Sequence, residues 1–327
     1  MTEESLRELV MKKIPNEIYS LVDDEFIDEF SDNQKEYMRH YYRDYYFTYC
    51  QERHIRISNR TDIFSNMRRR RIRLFQLCCP YCKSIKIMIY DVNLNGNKTK
   101  YFYNYCPFCG RSSIVDNIVN QTSRFIRIRK INRLGLKEYK KISPTKEEWL
   151  RGYDCFQTEI VALTSIEEVI LRDYFSALIY IRNFGINNKY IENMVNKYTG
   201  NDFMNIEKAN VDFKKALNID IKNNIDNEIW DNMVDIVNIR NMTVHNNGRI
   251  DNHFRSTITY QRMNDRVDDS LFRIEDTDIT KYYKSLMVFI VQISNVFLKE
   301  YYSNRNKIIS NYYFNKNMEK LVNKIDS

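Results

Sequence analysis

Glycine and proline are scarce in this chain, with 7 and 4 residues among 327. Architectures of strands joined by turns use both freely, so their scarcity beside 43% hydrophobic residues excludes a β-barrel and a disordered tail and predicts a mainly α protein. Long apolar runs are also missing. The longest, from Leu286 to Val291 and on to Leu298, is broken by Gln292, Ser294 and Asn295, short of the roughly 20 residues a bilayer span needs. The first thirty residues hold Glu3, Glu4, Glu8 and the run Asp23, Asp24, Glu25, without the basic start or apolar centre of a signal peptide. The expectation is a cytoplasmic protein with no membrane partner, and in that reducing compartment paired cysteines mean metal before disulfide. No Gly-rich phosphate loop or paired-carboxylate motif is present, which removes nucleotidyl transfer.

What is present is charge, unevenly placed. Residues 1–50 carry 6 basic and 12 acidic side chains, residues 51–141 carry 21 and 5, and residues 142–327 carry 24 and 26. The net +8 is thus the remainder of a strongly basic middle and two acidic flanks. A segment that basic is the footprint of a polyanion partner, most often nucleic acid.

Four stretches follow. Residues 1–65 form an N-terminal helical segment, in which Tyr41, Tyr42, Tyr45, Tyr46 and Tyr49 share one broad face suited to packing or to base stacking. Residues 66–141 form a small β-rich module. Ile85, Ile87 and Ile89 alternate as a strand, Asn93 to Asn97 make a turn, Tyr101 to Tyr105 read as a strand, and Ile126 and Ile128 alternate with Arg127 and Arg129 as a strand with a basic outer face. A connector around 142–157 leads into an all-α bundle over 155–305, followed by a helical tail over 306–327. Thr164 or Ser165 with Glu167 or Glu168 forms a capping box that opens a helix through Asn183. Further helices are expected near 188–198, 204–217, 227–245 and 279–302.

Two C-x2-C pairs, Cys79-Pro80-Tyr81-Cys82 and Cys106-Pro107-Phe108-Cys109-Gly110, stand 23 residues apart. Such turns aim both sulfurs at one centre, and two of them supply the tetrahedral thiolate cage that Zn²⁺ prefers. Four thiolates close the coordination shell, so the expected zinc is structural. In a module too small to bury a core, it would contribute on the order of 10 to 16 kcal/mol to folding. Cys78 stands beside the first pair as a substitute ligand, whereas Cys50 and Cys155 read as buried thiols. Around this ribbon lie Arg68, Arg69, Arg70, Arg71, Arg73, Lys83, Lys86, Arg124, Arg127, Arg129 and Lys130, with Tyr81, Tyr101, Phe102, Tyr103 and Phe108 interleaved. Cations among aromatics point to nucleic-acid contact, RNA or DNA.

Histidine is rare, four residues in all, and one lies in "DIVNIRNMTVHNNGRID" with Arg240, Asn241 and His245. On a wheel of about 100° per residue with Trp230 at zero, Met233, Val234, Val237 and Val244 define the expected buried face. Asn241 falls inside it, with Arg240 and His245 on its two sides. An Asn in a core face is costly unless it bonds something. One reading is a helix end with its polar groups satisfied and His245 bonding the last carbonyls.

The other reading comes from a resemblance. Arg240, a polar Asn241 and His245 near a helix end of an all-α bundle, followed by Asn246, Asn247, Gly248 and Asp251, resemble the motif of the higher eukaryotes and prokaryotes nucleotide-binding (HEPN) domain over roughly 155–305. The resemblance implies an endoribonuclease with no cofactor for catalysis, active as a homodimer whose two motifs make a composite site. In it His245 is acid or base, Arg240 stabilises and orients the phosphate, and Asn241 bonds the phosphate or fixes His245, with Glu168 and Arg172 as helper positions. It further implies a toxin of abortive-infection or toxin–antitoxin defence, controlled by an antitoxin or a phage-derived trigger. The alternative from the residues alone is a non-catalytic regulator, in which the zinc ribbon binds nucleic acid and the helical domain only dimerises.

Overall fold

A computed structural model describes residues 2–14, 16–21, 32–57, 62–91, 105–199, 201–268 and 270–325. The fold is mainly helical with a small antiparallel sheet. In chain order the elements are α1 (Glu3–Met11), β1 (Tyr19–Leu21), α2 (Asp32–Glu52), α3 (Ile63–Arg69), β2 (Ile72–Cys78), β3 (Ile85–Asp91), α4 (Ile114–Ile142) and α5 (Pro144–Leu150). A π-helical turn at Arg151–Cys155 then leads into α6 (Phe156–Arg182), α7 (Asn188–Tyr198), α8 (Ile206–Leu217), α9 (Asn227–Asn246), α10 (Asn252–Arg255), α11 (Ile258–Arg262), the pair β4 (Val267–Asp268) and β5 (Leu271–Phe272), and α12 (Asp276–Ile325).

The chain divides into two compact units. The first holds Met1–Pro15, Ile114–Ile179 and Gly185–Lys299; the second holds Asn16–Ser113, Tyr180–Phe184 and Glu300–Ser327.

In the second unit the sheet runs β1-β2-β3, all antiparallel, with Tyr19 opposite Leu77 and Cys78 opposite Ile85. Alternation along β2 buries Ile72 and Leu74 and leaves Arg73 exposed, the period-two pattern of a half-covered strand. The tyrosine face of α2 packs. Tyr42 and Tyr46 are fully buried, Tyr42 donates to Gln76 and Tyr46 to Asn66, and Tyr41 lies 4.3 Å from the Tyr313 ring. The N-terminal segment is therefore not wholly helical, since β1 forms a sheet edge.

Three expectations about helix bounds are corrected. Residues 126–129 are not a strand. They lie inside the 29-residue helix α4, because Ile118, Thr122, Phe125, Ile126 and Arg129 recur at helical spacing on the buried face, and that longer period overrides a four-residue alternation. Thr164 and Ser165 do not cap a helix start. α6 already begins at Phe156, and both hydroxyls bond back to Val161 O within it. The last helix runs on from Asp276 to Ile325, well past residue 302, because no Gly or Pro interrupts it. The connector is mostly helical too, with Pro144 at the first turn of α5, where a missing N–H is harmless.

Arg129 is the largest correction. Expected as a basic surface residue, it is fully buried at the centre of an ion cluster. Its guanidinium reaches Glu3 at 2.6 Å, the fully buried Glu159 at 2.6 Å, Asp276 at 3.0 Å and Thr280 Oγ1 at 2.7 Å. Arg133 joins the same two carboxylates, Glu3 and Asp276, and Lys130 pairs with Glu4 at 2.7 Å. The acids of α1 thus neutralise part of the basic segment, tying α1 to α4, α6 and α12 inside one unit.

Candidate functional site

The cysteine cluster belongs to the second unit. The first C-x2-C turn follows β2, and the second lies between Tyr105 and Ser112, the two residues of an isolated bridge. Their backbones match: Cys79 N–H donates to Ser84 O at 2.9 Å and Cys106 N–H to Arg111 O at 2.8 Å, each closing on the residue five positions on. The residue after each second cysteine is left-handed, Lys83 at φ 60° and Gly110 at φ 72°. Gly110 is the residue such a conformation favours, and Lys83 adopts it without that help. The four sulfurs all lie within 4.8 Å of one another, with Cys79 to Cys109 at 3.8 Å and Cys82 to Cys106 at 3.7 Å. A tetrahedron with metal–sulfur bonds of about 2.3 Å has edges of about 3.8 Å, so the set can hold a metal ion. Cys78 stands outside it. Its thiol is fully buried and pushed up to about 12 by that burial, a packed side chain and not a ligand.

The aromatics of the ribbon do different jobs. Tyr81 packs edge-on to Tyr180 at 5.1 Å, beneath the Arg111 guanidinium at 3.7 Å, and Tyr19 donates to Tyr105 O at 2.8 Å. Phe108, at the tip of the second turn, is 50% exposed with the Lys86 ammonium 4.2 Å above its ring. Tyr101, Phe102 and Tyr103 lie outside the described residues, as do the turn at Asn93 to Asn97 and the acidic run from Asp23. Of the cations, Arg68, Arg69, Arg70, Arg71, Arg73 and Lys86 are exposed and Lys83 is half-buried in this unit, while Arg124, Arg127 and Lys130 are exposed on α4 of the other.

The Arg240 motif sits at the C-terminal end of α9 in the first unit. From Asn232 to Val237 every residue of this helix is buried, and its polar members are used up inside. Asn232 donates to Ser285 at 2.9 Å, Asp235 accepts from Thr259 at 2.6 Å and pairs with Arg262, and Asn238 donates to Thr259 at 2.9 Å. After Ile239 one side of the helix opens: Arg240 and Asn241 are half-buried and Val244 and His245 are exposed, while Met242 and Thr243 stay buried on the other side. Val244 therefore does not extend the buried face, because at this end of the helix the covered side is that of Met242 and Thr243. The Arg240 guanidinium donates to Asn241 Oδ1 at 2.9 Å, which supplies the bond Asn241 requires. Among the described residues no carboxylate pairs with Arg240. The helix closes on Asn247 at φ 53° and Gly248 at φ 76°. A Cβ on Gly248 would stand 2.4 Å from Gln157 Nε2, so only glycine lets that amide lie there.

Glu168 and Arg172 pair with each other on α6, one turn apart. Beside them Glu167, legible in the sequence only as a capping residue, is buried, and neither of its carboxylate oxygens has a hydrogen-bond partner among the described residues. Burial, helped by the neighbouring Glu168 charge, holds its pKa well above the usual carboxylate range. The sequence also gave no sign of a cavity of about 610 Å³ among α4, α6 and α9, whose wall includes Arg124, Phe125, Gln157, Ser165, Thr243 and Asn247. No helix among the described residues is long and apolar enough to cross a membrane. Comparison of the chain with protein-family models, with curated proteins and with solved structures finds no match.

Proposed function

We propose that the protein is a ribonuclease of the HEPN kind whose chemistry is carried by Arg240, Asn241 and His245. The observation that supports this is the Arg240–Asn241 hydrogen bond of 2.9 Å at the open end of α9, with His245 exposed one turn beyond. A guanidinium held by a neutral amide keeps its charge for an incoming phosphate, where a carboxylate partner would have cancelled it. Imidazole is the side chain that exchanges a proton near neutral pH.

In the reaction the 2′-oxygen of the RNA bonds to the adjacent phosphorus and the bond to the 5′-oxygen breaks. One proton leaves the 2′-hydroxyl and one reaches the departing 5′-oxygen, leaving a 2′,3′-cyclic phosphate and a 5′-hydroxyl. His245 moves one of these protons. Arg240 stabilises the charge that builds on the phosphate, and Asn241 fixes the guanidinium. Asn241 and His245 stand about 40° apart around the helix and Arg240 about 140° from His245. One protomer therefore presents the cation and the imidazole poorly, and a homodimer that brings two motifs together supplies both to one phosphate.

The four cysteines would hold structural Zn²⁺, and the exposed arginines from Arg68 to Arg73, with Phe108 and Lys86, would hold single-stranded RNA by charge and stacking. Such an enzyme would act in the cytoplasm as a toxin of abortive-infection or toxin–antitoxin defence, restrained by an antitoxin or released by a phage-derived trigger.

The test is purified protein incubated with total RNA and with single-stranded DNA in EDTA, beside the His245→Ala and Arg240→Ala variants. Cleavage of RNA to cyclic-phosphate ends by the wild type, lost in both variants with unchanged thermal melting, is the expected result. Equal cleavage by all three ends the proposal. Tight binding with no cleavage by any of them favours the nucleic-acid-binding regulator instead.

A further inference from the structure

The helix α4 carries apolar residues on two faces, and the fold covers one of them. Ile118, Phe125, Ile126, Arg129 and Leu136 are buried on the inner face. On the outer face Ile131, Leu134, Gly135, Glu138 and Ile142 recur at i, i+3, i+4, i+7 and i+11, a stripe about 100° wide. Ile142 is 80% exposed, Ile131 67% and Leu134 65%, more than any other large hydrophobic side chain among the described residues. Single exposed apolar residues are ordinary, but three on one stripe of one helix mark an interaction surface.

Gly135 lies inside the same stripe. A glycine within a helix costs stability relative to alanine, and here nothing lies within 4 Å of where its Cβ would stand. Among the described residues no neighbour requires the gap. A side chain missing between Ile131, Leu134 and Ile142 lets a second helix come close at that point, since the side chains at the contact set how near two helices pack.

Charge selects the kind of partner. Residues 124–151 hold 10 basic and 3 acidic side chains. Lys130 pairs with Glu4, Lys140 with Glu147 and Lys141 with Glu138, and Arg124, Arg127, Lys137 and Lys146 add exposed cations along α4 and α5. Two copies of such a face would repel, which argues against α4 as its own partner. Aliphatic side chains offer an RNA base no ring to stack on. A bilayer would accept the apolar residues but would put the Glu138 carboxylate, at the middle of the stripe, among lipid tails that cannot bond it, whereas a protein can offer it a donor. The chemistry that fits is an acidic amphipathic helix, its apolar residues on the stripe and its carboxylates beside the cations.

We propose that the outer face of α4 docks a second polypeptide, which binds as an acidic amphipathic helix over Ile131, Leu134 and Ile142 with its closest approach at Gly135. The proposal does not rest on the ribonuclease reading, because none of these residues belongs to the Arg240 motif and binding is measured without cleavage.

The test is fluorescence anisotropy of a labelled synthetic helix of about 18 residues, long enough to span the roughly 17 Å from Ile131 to Ile142, with leucines at i, i+3, i+4 and i+7 and glutamates on its polar face. The full-length protein is compared with the double variant Ile131→Ser, Leu134→Ser and with Gly135→Gln, each checked by thermal melting. The wild type is expected to bind with a dissociation constant in the micromolar range, weakened by salt, and the double variant at least about tenfold more weakly. Gly135→Gln should melt about 2 to 4 °C higher, since glutamine is the better helix former and meets no neighbour. It should nonetheless bind about threefold or more weakly, a combination that a merely structural glycine would not give. The same helix with lysine in place of glutamate should not bind. No binding of the glutamate helix, or binding that neither variant weakens, overturns the proposal. So does binding to phosphatidylglycerol vesicles or to polyuridylate that the double variant loses while the peptide stays unbound, the first making the face a membrane surface and the second a part of the RNA site.

Discussion

Replacing Arg129 by Met removes the cation at the centre of the first unit and leaves its fully buried partner, Glu159, facing an apolar side chain. The interaction lost is large, because the guanidinium makes contacts of 2.6 Å with Glu3, 2.6 Å with Glu159 and 3.0 Å with Asp276. It is not lost in full, since Glu3 and Asp276 are partly exposed and recover water. Glu159 recovers nothing and keeps only Asn132, which donates to its Oε1 at 2.9 Å. Burial already holds the Glu159 pKa above the usual range while Asn132 and Arg129 pull it down, so loss of the arginine leaves a buried carboxylate with less to offset its desolvation.

Breaking one side of a buried pair costs about 3 to 5 kcal/mol. For a unit of this size that lowers the melting temperature by about 6 to 20 °C. Circular dichroism at 222 nm during heating measures it. The double variant Arg129→Met with Glu159→Gln should recover more than half of the loss, because the stranded charge is gone. A fall under about 1 kcal/mol in the single variant, or no recovery in the double, would refute the assignment of Arg129 as the hub. Arg129→Met should also leave the salt dependence of RNA binding unchanged, unlike Arg70→Ala, whose side chain is exposed.

Three further outcomes follow from the same structure. Burial holds the Glu167 pKa well above the usual carboxylate range in the folded state, whereas in the unfolded chain the group titrates near 4.5. Stability should therefore fall as pH rises above about 4.5, by up to about 1.4 kcal/mol per pH unit, and Glu167→Gln should remove this slope in urea titrations at pH 5 and 7; an unchanged slope would place the titration elsewhere. The protein as purified should carry a single zinc, released to a metal-sensing dye by a mercurial reagent, with Cys82→Ser losing the metal but keeping the helical far-ultraviolet signal of the first unit; a metal-free protein with the same melting curve would dismiss the cage. Gly248→Ala should cost about 1 to 2 kcal/mol for the left-handed backbone alone and should also displace Gln157, so a neutral effect on melting would contradict the close approach.

The cysteine cage was legible because it needs only two short turns, and the spacing of each pair fixes where its sulfurs point. The helices α7, α8 and α9 were legible within a residue or two because their apolar period is sustained and their ends carry Asn or Gly. Residues 126–129 misled because four alternating residues fit a strand and a helix flank alike, and only the longer period from Ile118 to Leu136 separates them. The basic segment misled in part, since charge counted along a chain does not say which charges meet. Arg129 and Lys130 answer Glu3 and Glu4, more than 120 positions away.

Spacings within a few residues already carried the four-cysteine cluster, the predominance of helix and the Arg–Asn–His group near a helix end. Tertiary contacts alone bury Arg129, set the Arg240–Asn241 bond at the end of α9, leave Glu167 without a hydrogen-bond partner among the described residues, and form a cavity beside the motif. Each of these depends on which distant segment covers a side chain, and burial converts a charge from a surface group into a core one.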